Sequence, residues 1–403
     1  MYSKFSSFID ILEQSCSDNL PKVAYTFLED GELIEKNITY EDLQISARSI
    51  AAYLQQRLNP GDRVLLMFNP GLDFITTFYG CLYAGIIAIP TYPLRLNRNV
   101  DQLTAIILNS GAKIVLTNST SYSKTLSNNL GIKVINIGEI STEWNVEWRR
   151  PTIVKEDIAF LQYTSGSTGN PKGVIITHKN IIHNQQLIKS AFSQNEKSLI
   201  VGWLPFYHDM GLIGNILHPA FLGARSVLMS PVHFLQKPSR WLDAISQYKG
   251  TTSGGPNFAY DLCINRISEE HKEKLDLSSW SVAFCGAEPI RPSTLTHFSK
   301  KFATCGFGSR SFQACYGMAE ATLLIAAERH GNGLTTLKIP TTELAFIDSV
   351  DTQKSPILHT DLVGCGYPKE FDLVIVDKNH RPLPEGKVGE IWVKGESVAK
   401  GYW

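Results

Sequence analysis

The chain has 403 residues, with 38 Lys+Arg against 38 Asp+Glu, so its formal net charge is zero. That balance argues against a nucleic-acid partner, because gripping a phosphate backbone needs a surplus of cations. A hydrophobic content of 43% with 19% charged residues belongs to a folded chain long enough for two or three structural units, and excludes wholesale disorder.

Seven cysteines, an odd number without a C-x-x-C pair, indicate free thiols in a reducing compartment. The N-terminal MYSKFSSFIDILEQ has no apolar signal core and no cleavage site, so the cytoplasm is the default location. Its Phe5, Phe8, Ile9 and Leu12 fall on one helical face. Thr39 with Asp42 reads as a capping box for a helix carrying Leu43, Ala47, Ile50 and Leu54. Asn59-Pro60-Gly61 stops that helix, and Arg63 to Phe68 is a short apolar strand.

The uncharged run from Phe74 to Leu94 is broken by Gly80, Gly85, Pro90 and Pro93, which predicts a buried helix and strand rather than a membrane span. A helix through Leu103, Ile106 and Ile107 ends at Gly111, and Lys113 to Thr117 is the next strand. Helix-length spacers between short strands predict an α/β fold of parallel sheets sandwiched by helices. Near the end, Phe371 to Asp377 and Gly389 to Lys394 are strands around a Pro/Gly turn, an appended antiparallel β unit. The stretch between Arg329 and Pro368 has weak periodicity and reads as an insertion or long loop. The expected organisation is a first α/β subdomain over 1–150, a second over 151–330, an insertion over 331–362 and a β subdomain over 363–403.

The most informative segment is Tyr163 to Gly173, YTSGSTGNPKG, fed by an apolar strand from Ile158 to Leu161. Glycines let backbone N–H groups turn toward an anion, hydroxyls add donors and Lys172 adds charge, which together make a phosphate cradle. Gly173 follows the lysine where a Walker loop has Ser or Thr, so this is a different loop. The plainer alternative is a flexible Gly/Ser turn between that strand and a helix starting near Thr177.

This loop resembles the signature of the adenylate-forming superfamily, which includes acyl-CoA synthetases, luciferases and peptide-synthetase adenylation domains. Three more blocks match in order: Trp203 to Leu212 (WLPFYHDMGL) on the acyl side, then Gly286-Ala287-Glu288-Pro289 and Tyr316-Gly317-Met318-Ala319-Glu320 around the adenosine. Gly389 to Tyr402 is similar to the strand motif that closes the family's large domain. The wording LPFYHDMGLIG, SGGPNFAYDLC, GAEPIRPSTL and YGMAEATLL is closest to the fatty acyl-AMP ligases. These activate a fatty acid with ATP as its adenylate and pass the acyl group to an acyl-carrier protein or polyketide-synthase carrier domain. The stretch from Gly331 to Leu362 sits where that branch carries its insertion.

The resemblance implies roles residue by residue. Thr164, Ser165, Gly166, Ser167, Thr168, Gly169 and Lys172 would hold the β- and γ-phosphates, and Glu320 would be the carboxylate for Mg²⁺, which prefers hard oxygen ligands. Tyr316 would stack on the adenine, with the Gly286–Pro289 backbone on its other face. Ala319 stands where many members have a threonine, a replacement common in the ligase branch. His208 would gate the acyl tunnel beside the α-phosphate. With His208, Glu320, Thr168 and Lys172 as the catalytic set, the protein mainly aligns two anions and neutralises charge. His208, Gly211, Leu212, Gly254, Pro256, Asn257 and Phe258 are the acyl-binding candidates. In the family a lid domain follows, with a ribose-binding aspartate, a hinge and a lysine. The chain stops at Trp403, before all three, which implies a large domain that binds but adenylates slowly. An acyl-CoA synthetase shares these blocks and is the nearest other reading; a nucleotide- and acyl-binding module without turnover is a third.

Overall fold

Helix-length spacers between short apolar strands do produce parallel pairing, and they produce it twice. The structure, a computed structural model, describes residues 5–93, 100–119, 132–164, 171–340, 359–368 and 370–403. One sheet has six strands in the order Lys133–Asn136, Ile114–Thr117, Arg63–Met67, Ile87–Thr91, Ile158–Thr164 and Lys172–Thr177. All neighbours in it are parallel except the last pair, Ile158–Thr164 with Lys172–Thr177. The other sheet has nine strands, with a parallel centre of six: Phe312–Gly317, Val282–Cys285, Thr252–Gly255, Leu199–Gly202, Arg225–Met229 and Val23–Leu28. Antiparallel strands close both edges of that sheet.

Alternate residues of each strand feed different cores, which is why the strands read as continuous apolar runs. Val64 and Leu66 join Ile200 and Leu228 in the core between the two sheets, together with helices Phe8–Asn19, Tyr40–Gln55, Leu72–Ala84 and His178–Ala191. Leu65 and Met67 point the other way, onto Leu103 and Ile106. Val201, Val227 and Met229 face a third core of Trp241, Trp280, Tyr260 and Phe298. The run from Phe74 onward is the buried helix and strand expected, Leu72–Ala84 then Ile87–Thr91. Among the described residues no helix is long and apolar enough to cross a membrane.

Several local expectations change in detail. The box at Thr39 is half made: its hydroxyl oxygen accepts from Asp42 N–H at 3.1 Å while the hydroxyl proton goes to Asp42 Oδ2 at 2.7 Å. A reciprocal box forms instead at Ser7 and Asp10. Lys172–Thr177 is a strand, so the glycine-rich loop joins two antiparallel strands, and the helix His178–Ala191 begins only after them. Within 331–362, Thr336–Pro340 pairs antiparallel with His359–Val363; residues 341–358 lie outside the described residues. The sheets also run across residue 150. Val23–Leu28 and Glu35–Thr39 belong to the sheet otherwise built from residues after 150, and Ile158–Thr164 and Lys172–Thr177 to the sheet otherwise built from residues before it. The C-terminal strands are Asp372–Val376 and Glu390–Lys394, paired antiparallel as expected.

Candidate active site

In open parallel sheets, ligands bind outside the carboxyl ends of the strands. Each motif block starts there. Trp203 to Gly211 follows Leu199–Gly202, Gly286 to Pro289 follows Val282–Cys285, Glu320 lies just beyond Phe312–Gly317, and the glycine-rich loop follows Ile158–Thr164.

The turn carrying His208 is set by close packing. His208 N–H donates to Pro205 O at 3.1 Å, and Leu212 N–H to His208 O at 2.8 Å. A Cβ on Gly211 would lie 2.0 Å from Pro205 O, so only glycine permits this turn. Met210–Leu217 continues as π-helix, a geometry common at functional sites. His208 Nδ1 lies 2.6 Å from Asp209 Oδ1, which also accepts from Met210 N–H at 2.6 Å. Burial alone would lower the imidazole pKa, but the bond to Asp209 and its charge outweigh that and hold it above its ordinary value. The pairing engages Nδ1 of a side chain that is 52% exposed.

The adenosine blocks are equally constrained. Ala287 has φ +67°, a left-handed conformation that few non-glycine residues adopt, and it lines the cavity described below. Glu288 Oε1 accepts from Phe258 N–H at 2.7 Å, tying this block to the start of helix Asn257–Arg266. A Cβ on Gly317 would meet Leu323 O at 1.9 Å. The tight turn this allows, with Met318 N–H donating to Leu323 O at 3.0 Å, projects Glu320. Buried Asn184 clamps the turn, donating to Leu324 O at 2.9 Å and accepting from Leu324 N–H at 3.1 Å.

Thr164 and Lys172 face each other as the last pair of their antiparallel ladder. Ser165, Gly166, Ser167, Thr168 and Gly169 lie outside the described residues. The chain's last residues return to this strand: Ile175 N–H donates to Gly401 O at 2.9 Å and Trp403 N–H to Gly173 O at 2.8 Å. Tyr402 thereby reaches both charged groups. Its O–H donates to Glu320 Oε1 at 2.7 Å, and the Lys172 ammonium sits 5.3 Å from its ring centroid. Glu320 offers one hard carboxylate, and no three His, Cys, Asp or Glu cluster as a metal cage among the described residues. That donor set fits a Mg²⁺ held mainly by phosphate and water oxygens.

Two cavities meet at this surface. The first, about 930 Å³ of empty space, has Gly286, Ala287, Tyr316, Gly317 and His208 in its wall. Deeper lie Ile188, Phe192 and Leu324, with Gln194, His218 and Thr252, all at most 8% exposed. His218 is held between Gln185 and Gln194, and burial followed by the charge of Lys189 pulls its pKa down to about 3, so the ring is neutral. The second, wider cleft is lined by Thr164, Pro171, Gln162, Tyr207 and Ala319. His208 and Asp209 line both cavities, and so stand at their junction.

Of the acyl-side candidates His208 lines the first cavity, and Gly211, Leu212, Gly254, Pro256, Asn257 and Phe258 do not. Gly211 and Leu212 are buried in the turn, and Gly254 packs where a Cβ would lie 2.1 Å from Phe284 O. Pro256 and Asn257 begin helix Asn257–Arg266, with Asn257 Oδ1 accepting from Arg291 N–H at 2.9 Å; Phe258 is exposed beside Trp203. The wall residues that motif reading missed come from several separate elements. For Asp209 the signal was there, next to His208; for Tyr402 it was the GYW that ends the last motif.

The family model described as AMP-binding enzyme matches residues 12–403. The medium-chain-fatty-acid–[acyl-carrier-protein] ligase JamA of Moorena producens is 39% identical over 99% of this chain and 70% of its own length. The ligase of the same description, TtuA, of Teredinibacter turnerae is 39% identical over 96% of this chain and 67% of its own. A crystal structure of the fatty acyl-adenylate ligase from Legionella pneumophila, in complex with acyl adenylate and pyrophosphate, superposes with a TM-score of 0.92 at 43% identity, covering 100% of this chain and 71% of that one. The chain therefore belongs to the AMP-binding enzyme family, on the branch of the fatty acyl-AMP ligases.

Proposed function

We propose that this chain activates a fatty acid with ATP and hands the acyl group to the thiol of an acyl-carrier protein or polyketide-synthase carrier domain. A carboxylate oxygen attacks the α-phosphorus, the bond to the bridging oxygen breaks, and pyrophosphate leaves; the carrier thiol then attacks the acyl carbon, its bond to the phosphate oxygen breaks, and AMP leaves. The hairpin residues Thr164 to Gly169 and Lys172 hold the β- and γ-phosphates. Glu320 would hold Mg²⁺, which would supply positive charge beside the leaving pyrophosphate. Tyr316 stacks on the adenine opposite the backbone of Gly286 to Pro289. The acyl chain enters the apolar cavity past His208, whose Nε2 donates to the substrate carboxylate. Setting is cytoplasmic, in keeping with seven free thiols.

The observation that carries this reading is the junction: His208 and Asp209 border both a deep, mostly apolar cavity flanked by Tyr316 and a cleft flanked by the ends of the phosphate hairpin. The carrier-protein acceptor is supported by the descriptions of JamA and TtuA. The test is pyrophosphate release with ATP and Mg²⁺, with and without fatty acid, followed by competition between coenzyme A and a phosphopantetheinylated carrier. Release that ignores the fatty acid would reject adenylation. Abundant acyl-CoA would reject the carrier as acceptor in favour of an acyl-CoA synthetase.

A further inference from the structure

We propose that Tyr402 is a positioning residue for the triphosphate end of the site, holding Glu320 through its hydroxyl and Lys172 through its ring. This rests on the roles given to Glu320 and Lys172 under Proposed function. Residues 172, 320 and 402 belong to three distant stretches of sequence, and Tyr402 is where they meet.

The tyrosine is itself fixed by main chain. Val174 and Tyr402 form an antiparallel bridge, Lys400 N–H donates to Ile175 O at 3.2 Å, and Trp403 N–H donates to Gly173 O at 2.8 Å. From the other side, Ala399 N–H donates to the main-chain oxygen of Glu320 at 2.8 Å. The segment 399–403 is thus stitched both to the strand that starts at Lys172 and to the turn that carries Glu320. Tyr402 remains 52% exposed, so packing is not what this side chain mainly supplies.

The two contacts suit the two partners differently. A phenol donating to a carboxylate removes rotamer freedom from the glutamate yet occupies only Oε1, leaving the other oxygen for a cation. An aromatic face attracts an ammonium without cancelling its charge, so Lys172 is held in place and still fully cationic for a phosphate. A carboxylate in the same position would quench that charge. Tyr402 therefore prearranges an anion for the metal and a cation for the phosphates, side by side, before nucleotide arrives.

The test uses Tyr402→Phe, which keeps the ring and loses the hydroxyl, and Tyr402→Leu, which loses both. ATP affinity is measured by calorimetry across a Mg²⁺ series, beside pyrophosphate release and the fatty-acid KM. Tyr402→Phe should raise the Mg²⁺ needed for half-maximal ATP binding by about three- to tenfold, with the fatty-acid KM unchanged. Tyr402→Leu should add several-fold weaker ATP binding at saturating Mg²⁺, with AMP binding unchanged. Wild-type Mg²⁺ dependence in Tyr402→Phe would overturn the proposal, as would a loss shared evenly by ATP, AMP and fatty acid. Glu320→Gln separates the two layers: if it shifts the Mg²⁺ dependence and Tyr402→Phe does not, the link alone fails. If neither variant shifts it, the role of Glu320 fails as well. A double variant no worse than Glu320→Gln supports the link, and additive losses refute it.

Discussion

The end of this site proposed for the nucleotide and the end proposed for the acyl chain are built on different physics. At the nucleotide end, main chain does most of the shaping: Ala287 is left-handed, Gly317 lets Leu323 O approach closely, and an antiparallel ladder ends at Thr164 and Lys172. Charge there is held in the open, where substrate can meet it. The acyl end is shaped by side chains in the dry interior, with Phe192 stacked on Phe284 at 6.1 Å and His218 kept neutral between two glutamines. The first end is specified by short contiguous motifs and tolerates little backbone change. The second is specified by packing, and its shape can be altered one residue at a time.

Substitutions at each end should therefore break different things. The largest effect is expected for Glu320→Gln, which keeps the shape and removes the charge: pyrophosphate release should fall by about 10²–10³-fold while fatty-acid binding by calorimetry is retained. Parallel loss of both would mean the turn had collapsed. At the other end, Phe192→Ala should cost about 3 kcal/mol in urea denaturation and shift preference about tenfold toward longer acids, leaving ATP affinity alone. A variant with unchanged chain-length selectivity would show that Phe192 does not bound the acyl chain.

Acid should weaken the interior through its buried histidines. Burial pulls His218 down to about 3 and His178 to about 4, while in the unfolded chain both titrate near 6.5. The unfolded state then binds protons that the folded state refuses, so stability is full above pH ~6.5 and falls as pH drops toward those folded values, by about 2 kcal/mol per histidine at pH 5. Urea midpoints at pH 7 and pH 5 would measure this, and His218→Gln should remove about half of the difference. The smallest effect sharpens the phosphate assignment. Lys172→Ala should weaken ATP about tenfold, or about 1.4 kcal/mol, and leave AMP nearly unaffected. Equal weakening of the two would move Lys172 away from the departing phosphates.

The blocks proposed for the nucleotide could be picked out in the sequence because their parts are contiguous and their chemistry is stereotyped. A hydroxyl-and-glycine run after an apolar strand, or a glycine-bounded block ending in Glu320, signals itself without knowledge of its neighbours. The acyl candidates illustrate the limit. Gly211 and Gly254 had to be glycine, but for contact with Pro205 O and Phe284 O rather than for lining the cavity. A glycine announces close approach without saying to what. Gln194, His218 and Thr252 carried no local signal, since a lone polar residue in an apolar stretch looks the same whether it pairs with a strand, a helix or a ligand.

The amino-acid order alone determined the α/β alternation and marked out the glycine-rich loop and the blocks at Gly286 to Pro289 and Tyr316 to Glu320, because period, turn chemistry and short motifs are local properties of the chain. Tertiary structure decided which strands share a sheet, that Val23–Leu28 crosses to the larger one, and that Tyr402 comes to lie between Lys172 and Glu320. Those contacts join positions as far apart in the chain as Lys172 and Tyr402, and only the packing of two sheets around one core brings such positions within reach of each other.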